Sequence, residues 1–264
     1  KIKAFADYNM VHPEFLKVKT SDGLELNAYM IKPADFDPNK KYPVIVYGYP
    51  NAGSQTVVNR WGTTRGLWHR MMTEKGFIVF SLDNRTATGY GKAAKNSTYG
   101  FYGKYELKDQ VEGAKYLASL PYVDASRLGF WGKSGGGYSA CLLMTKGAGY
   151  FKTTISVAPV IDIRCYQSVG VERWMGFPDK NPEGYDYTNL INFVDQFKGN
   201  LLLLHGTGDE NVKYAYTLQF ANAMIAAGKQ FDMMLYPNRH HSLSMGNTFL
   251  HWFTKMTDYF IKNL

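Results

Sequence analysis

Ser134 stands at the centre of Gly132-Lys133-Ser134-Gly135-Gly136, a Gly-x-Ser-x-Gly pattern suited to a nucleophilic serine. Such a serine works on a sharp strand-to-helix turn, where its backbone is strained and a Cβ at either flanking glycine would collide. Its hydroxyl attacks a carbonyl only when a base takes the proton and a carboxylate orients that base. The chain offers both in the order Ser, Asp, His. Asp209 follows the apolar run Asn200–Gly206, and His240-His241 follow another apolar run at 231–236. The spacing leaves His240 and His241 as rival bases, and Glu210 as an alternative acid if the turn is rotated. Read singly, Ser134 could be a plain turn residue and Asp209 a solvated carboxylate or helix cap. The histidine pair could be a surface feature or a weak metal site. Order and strand-end placement together make Ser134, Asp209 and His241 a candidate triad. Its chemistry is acyl transfer, which calls for no cofactor and no metal. His12, His69, His205 and His251 read as structural, and Cys141 as core.

These residues need a scaffold that brings strand ends together. Residues 127–131 read as a buried strand entering the serine turn, and 138–146 as the helix leaving it. Residues 14–20 and 24–31 alternate around Ser21-Asp22-Gly23, an antiparallel hairpin at a sheet edge. Further strands are expected at 44–47, 77–82 and 154–157, and helices at 67–74, 107–120, 214–227 and 247–264. Residues from Ala158-Pro159 to about Phe197 read as loop-rich. Strands alternating with helices imply an α/β-hydrolase-like, mostly parallel doubly wound sheet with helices on both faces. Ligands bind such sheets beyond the carboxyl ends of the strands, where the candidate triad falls.

The 264 residues, 45% hydrophobic, suffice for one α/β domain with a large core. The net charge of +8 comes from Lys and Arg scattered without a dense run, which argues for solvated faces and against nucleic acid as a partner. Cys141 and Cys165 permit one disulfide at most. No stretch has transmembrane length, no signal peptide opens the chain, and no membrane contact is expected. The chain begins at Lys1, as a processed product or excised fragment would.

The chain resembles the catalytic domain of the prolyl oligopeptidase family, near its dipeptidyl peptidase IV branch. The resemblance spans nearly the whole chain. It rests on Asp83-Asn84-Arg85 with Gly89-Tyr90, Asp109-Gln110-Val111-Glu112, Gly132 to Tyr138 and Val157-Ala158-Pro159-Val160. Glu172-Arg173-Trp174-Met175-Gly176 and His205-Gly206-Thr207-Gly208-Asp209-Glu210-Asn211-Val212 complete it. The resemblance implies His241 as the base. It also implies an oxyanion hole formed by the Gly135 N–H and by Tyr47 of Tyr47-Gly48-Tyr49-Pro50, with Tyr49 as a rival donor. By the same resemblance a specificity pocket is lined by Val160, Ile163, Tyr166, Gly170, Asn211 and Val212, with Asn211 binding a substrate carbonyl. The branch carries aromatics where this chain has Gly135, Ile163 and Gly170, so the pocket is expected to be broader than a strict proline slot. Family members carry an N-terminal β-propeller over the site; no propeller pattern occurs here, and the chain reads as a catalytic domain whose propeller is missing. A peptide is the implied substrate and a homodimer a possible assembly. A family cysteine position falls on Thr153, which points to a bacterial relative and a periplasmic or extracellular location. The implied activity is a serine peptidase that releases dipeptides or short peptides after proline or another small or hydrophobic residue. An esterase with the same triad and a non-catalytic binding domain are the alternatives.

Overall fold

A computed structural model describes residues 10–60 and 64–264. Among the described residues eight strands form one sheet: β1 (Glu14–Lys19), β2 (Glu25–Ile31), β3 (Tyr42–Tyr47), β4 (Ile78–Leu82), β5 (Val123–Lys133), β6 (Thr153–Val157), β7 (Asn200–Gly206) and β8 (Asp232–Tyr236). Their order is β1-β2-β4-β3-β5-β6-β7-β8. The hairpin β1–β2 joins β4 antiparallel, and every other neighbouring pair is parallel. The helices are α1 (Thr64–Glu74), α2 (Gly91–Asn96), α3 (Lys104–Ser119), α4 (Gly135–Met144), α5 (Ser168–Met175), α6 (Pro182–Thr188), α7 (Tyr214–Ala226) and α8 (Thr248–Asn263).

The central strands are apolar on both sides because helices cover both faces. Side chains alternate across the sheet: Val44 and Val46 of β3, Phe130 of β5, and Leu201 and Leu203 of β7 join one core with α3, α4 and α7. Ile45, Tyr47, Trp131, Leu202 and Leu204 point the other way, into a second core with Trp68 and Met72 of α1 and Trp252, Phe253, Met256 and Phe260 of α8. That alternation decides the surroundings of Tyr47: it faces α1.

The expected strands and the hairpin are present with small shifts at their ends. Two differences are physical. Residues 158–197, expected as loop, hold α5, α6 and two 3-10 turns at Ile163–Cys165 and Leu190–Gln196. Each piece is too short to show a repeating apolar stripe, although Asn181 with Pro182 gives a cap: the Asn181 side chain accepts from Gly184 N–H. α4 starts at Gly135, before the expected 138, because its glycine-rich first turn packs backbone to backbone rather than through side chains. Cys141 and Cys165 are both free thiols. Among the described residues no helix is long and apolar enough to cross a membrane.

Candidate active site

β5 ends at Lys133 and α4 begins at Gly135, leaving Ser134 on the sharp turn with φ 59° and ψ −122°. A non-glycine residue holds such a backbone only when its neighbours enforce it. Here they do: Ser134 N–H donates to the Val157 carbonyl at 2.8 Å, and Tyr138 N–H to the Ser134 carbonyl at 2.9 Å. A Cβ on Gly132 would stand 2.5 Å from the Gly136 carbonyl and from the Gly48 oxygen, and one on Gly136 would overlap that same oxygen. The glycines thus let the chain leaving β3 pass against the turn, which sets the backbone of Gly48 and Tyr49 beside it. At the start of α4 the N–H groups of Gly135, Gly136 and Gly137 come before Tyr138, the first N–H that donates within the helix, and make a ready place for developing negative charge.

The turn after β7 presents Asp209, which is buried. Its Oδ1 accepts from the N–H groups of Asn211 at 2.9 Å and Val212 at 2.8 Å. Its Oδ2 lies 2.7 Å from His241 Nδ1 and 3.2 Å from His205 Nε2. Burial alone would raise the Asp209 pKa; the hydrogen bonds from His205, His241 and Val212 outweigh it and hold the carboxyl well below the usual range. An ionised carboxylate only accepts, so His241 Nδ1 is the donor in this contact and the proton on that nitrogen leaves the Nε2 lone pair unprotonated. His240 is 60% exposed and pairs with the equally exposed Glu210 at 3.2 Å. Geometry therefore separates the two histidines that local sequence left as rivals. Asn238 and the fully buried Leu243, both at positive φ, fix the turn carrying them. In the resting structure the Ser134 hydroxyl has no hydrogen-bond partner among the described residues; such contacts often close only around substrate.

Tyr47 packs its ring 4.8 Å from Trp131 and 5.3 Å from His69, and its hydroxyl accepts from Arg65 Nη1. Burial pushes its pKa up, against the opposing pull of Arg65, so the phenol keeps its proton at neutral pH. Tyr49 lines the same cleft. Lys133, preceding the serine, has its amine pKa lowered by burial, while Asp209 opposes the shift.

A cavity of about 290 Å³ is lined by Asn51, Tyr102, Ile163, Tyr166, Gly170, Val171 and Trp174, among others. Three of the six pocket residues named from sequence, Ile163, Tyr166 and Gly170, line it. Asn211 adjoins it through Tyr166 Oη at 3.2 Å and Gln167 Nε2 at 3.1 Å, both donating to Asn211 Oδ1, which leaves the amide NH2 as a donor. Val160 and Val212 are outside this lining and buried in the core. Asn51 and Tyr102 escaped the sequence reading. The Asn51 amide lies over Gly135, where any Cβ would collide with it, and Tyr102 Oη donates to Asn51 Oδ1 at 2.6 Å. Rings thus reach the cavity from Tyr102 and Trp174 even though the positions expected to carry them hold Gly135, Ile163 and Gly170. Asn51 follows directly on Tyr49-Pro50, the one signal that could have drawn attention to it; nothing local marks Tyr102.

A mostly parallel eight-stranded sheet with a strained serine after β5, an acid turn after β7 and a histidine after β8 defines the α/β-hydrolase fold. The prolyl oligopeptidase family matches residues 67–264, and the chain belongs to that family. "Probable dipeptidyl-aminopeptidase B" of Sclerotinia sclerotiorum is 38% identical over 232 residues, 86% of this chain and 25% of that protein. Human dipeptidyl peptidase 8 is 32% identical over 256 residues, 96% of this chain and 28% of its own length. The crystal structure of Porphyromonas gingivalis dipeptidyl peptidase 4 superposes with a TM-score of 0.93 at 38% identity, covering 96% of this chain and 36% of that one. The chain therefore spans about a quarter of the length of the curated relatives it matches.

Proposed function

We propose that this chain is the catalytic domain of a serine dipeptidyl peptidase that cuts after proline or another small or hydrophobic residue. The observation that carries the reading is the buried Asp209 carboxylate holding His241 by Nδ1, with a strained Ser134 at the end of β5, two strands from β7 in the same sheet. Ser134 Oγ attacks the scissile carbonyl carbon and its proton passes to His241 Nε2. The oxyanion is met by the Gly135 N–H and the Tyr47 hydroxyl; one such donor is commonly worth about 3 kcal/mol. As the carbon–nitrogen bond breaks, His241 returns the proton to the leaving amine, giving an acyl-enzyme on Ser134. His241 then deprotonates a water, which releases the peptide acid and restores the serine.

The cavity bounded by Tyr102, Ile163, Tyr166 and Gly170 supports a pocket for the residue before the cut, and the free amide N–H of Asn211 supports a contact to a substrate carbonyl. Family resemblance supports a propeller elsewhere in the full-length protein, holding the substrate's amino terminus. The full-length protein is tested against chromogenic dipeptides ending in Pro, Ala or Leu, their amino-blocked forms, and simple esters. Release from free-amino dipeptides, lost on blocking, is expected. Ester turnover without peptide turnover overturns the reading.

A further inference from the structure

Two cavities reach the serine turn from opposite faces of the sheet, and the segment leaving β3 runs between them. Its Asn51 lies over Gly135 and lines the cavity of about 290 Å³ proposed for the residue before the cut. Ile163, Val171 and Met175 of that cavity belong to the core shared with α3, α4 and α7. The backbone of Tyr49 lies against the turn at Gly136, and Tyr49 lines a second cavity of about 330 Å³. Ile31 and Tyr47 wall this one from the core under α1 and α8. A peptide lying across Ser134 with its acyl part in the first cavity carries its leaving part past Tyr49 towards the second.

The second cavity suits negative charge. Arg60, Arg65 and Arg70 line it, and among the described residues no carboxylate does. Arg65 is half-buried; its Nη1 donates to the Tyr47 hydroxyl, and its guanidinium carbon lies 4.4 Å from the Tyr47 ring centroid. Both contacts are to a neutral phenol. Among the described residues no acidic side chain pairs with Arg65 or with the exposed Arg60. A guanidinium carries five donors in a planar fork, so Arg65 keeps N–H groups for a planar anion. Arg70, which donates to the Val11 and Gly66 carbonyls, adds its charge to the same wall. Cations gathered around a cleft without a facing acid raise the local concentration of anions.

We propose that this second cavity is a subsite for a carboxylate in the leaving segment, carried on an Asp or Glu side chain or at the C-terminus of a short peptide. Arg60 and Arg65 are its specificity-determining residues. The proposal rests on Ser134 being the nucleophile of a dipeptidyl peptidase whose first cavity takes the residue before the cut. Chromogenic dipeptides do not report on it, because their leaving amine bears no carboxylate.

The test gives the full-length protein tetrapeptides with a free amino terminus, in series with Pro and with Ala before the cut. Each series holds a neutral amide ending in Ala-Ala, its free acid, and amides with Glu or Lys in place of either residue after the cut. Dipeptide release is followed by mass spectrometry. At least one anionic peptide is expected to exceed the neutral amide in kcat/KM by about tenfold, with the Lys peptides below it. Which anionic peptide gains most separates a side-chain carboxylate from a terminal one. Arg60→Met or Arg65→Met should cut that gain at least about threefold, read as the ratio of anionic to neutral peptide so that a general loss of activity cancels. Anionic peptides cut no faster than neutral ones by the unaltered protein overturn the proposal and leave the peptidase reading standing, as does a gain that survives both substitutions. No dipeptide release from any peptide overturns both.

Discussion

His69 offers a sharp electrostatic test of the layer beneath the site. It is 2% exposed, ringed by Tyr47, Trp68 and Trp131, and its Nε2 accepts from Trp131 Nε1 at 3.2 Å. With that lone pair engaged, the ring is neutral and carries its proton on Nδ1. Burial, reinforced by the charges of Arg65 and Arg70, lowers its pKa from 6.5 to about 3. Between those values the unfolded chain binds a proton that the folded chain refuses, so stability falls as pH drops through 6.5 and levels off near 3. Going from about pH 7.5 to about pH 4, this one group costs the protein about 3 kcal/mol. His69→Gln removes the titration and keeps an acceptor for Trp131. Urea unfolding followed by tryptophan fluorescence at both pH values should show wild type losing about 3 kcal/mol more than the variant on acidification. NMR provides the direct check: the ring resonance absent from His69→Gln should not titrate between about pH 5 and 8. An equal acid loss in both proteins, or a resonance titrating near 6.5, refutes the reasoning.

Three further outcomes follow from named contacts. Asp209→Asn keeps the shape but no longer fixes the Nδ1–H tautomer of His241, and kcat should fall about 10⁴-fold in steady-state assays. A Cβ at Gly170 meets nothing nearer than Tyr166 Cε1 at 3.9 Å, so Gly170→Phe should fold and fill the cavity. Its kcat/KM for Leu relative to Ala before the cut should then drop by about tenfold or more. Arg85 bonds the fully buried Asp109 through Nη2 at 2.6 Å and Asp22 through Nη1 at 2.8 Å; Arg85→Met strands Asp109 and should cost about 3–5 kcal/mol in urea unfolding.

Much of this was legible in the residues themselves. Apolar runs such as Leu201–Leu204, which a two-sided core requires, located the parallel strands, and the glycines around Ser134 marked a turn only they could make. What sequence could not show was mostly rotation and long-range approach. Local spacing left His240 and His241 as rivals and only the resemblance favoured His241; which of them faces Asp209 is set by the turn after β8, whose backbone Asn238 and Leu243 hold at positive φ. Tyr102 and Asn51 are 51 residues apart and meet only because α3 and the chain after β3 converge above α4. Of the short helices after β6, α6 is capped by Asn181 while α5 has no side-chain cap and is held by Val171 and Met175 in the core, and their few residues carry no period to read.

The central claim is that Ser134 is the nucleophile, activated through His241 and Asp209. It is tested most directly by treating the full-length protein with a fluorophosphonate probe and mapping the adduct by mass spectrometry. A single adduct on the peptide containing Ser134, absent in Ser134→Ala and slow to form in Asp209→Asn, is the predicted result. An adduct on another residue, or none on the intact protein, contradicts it.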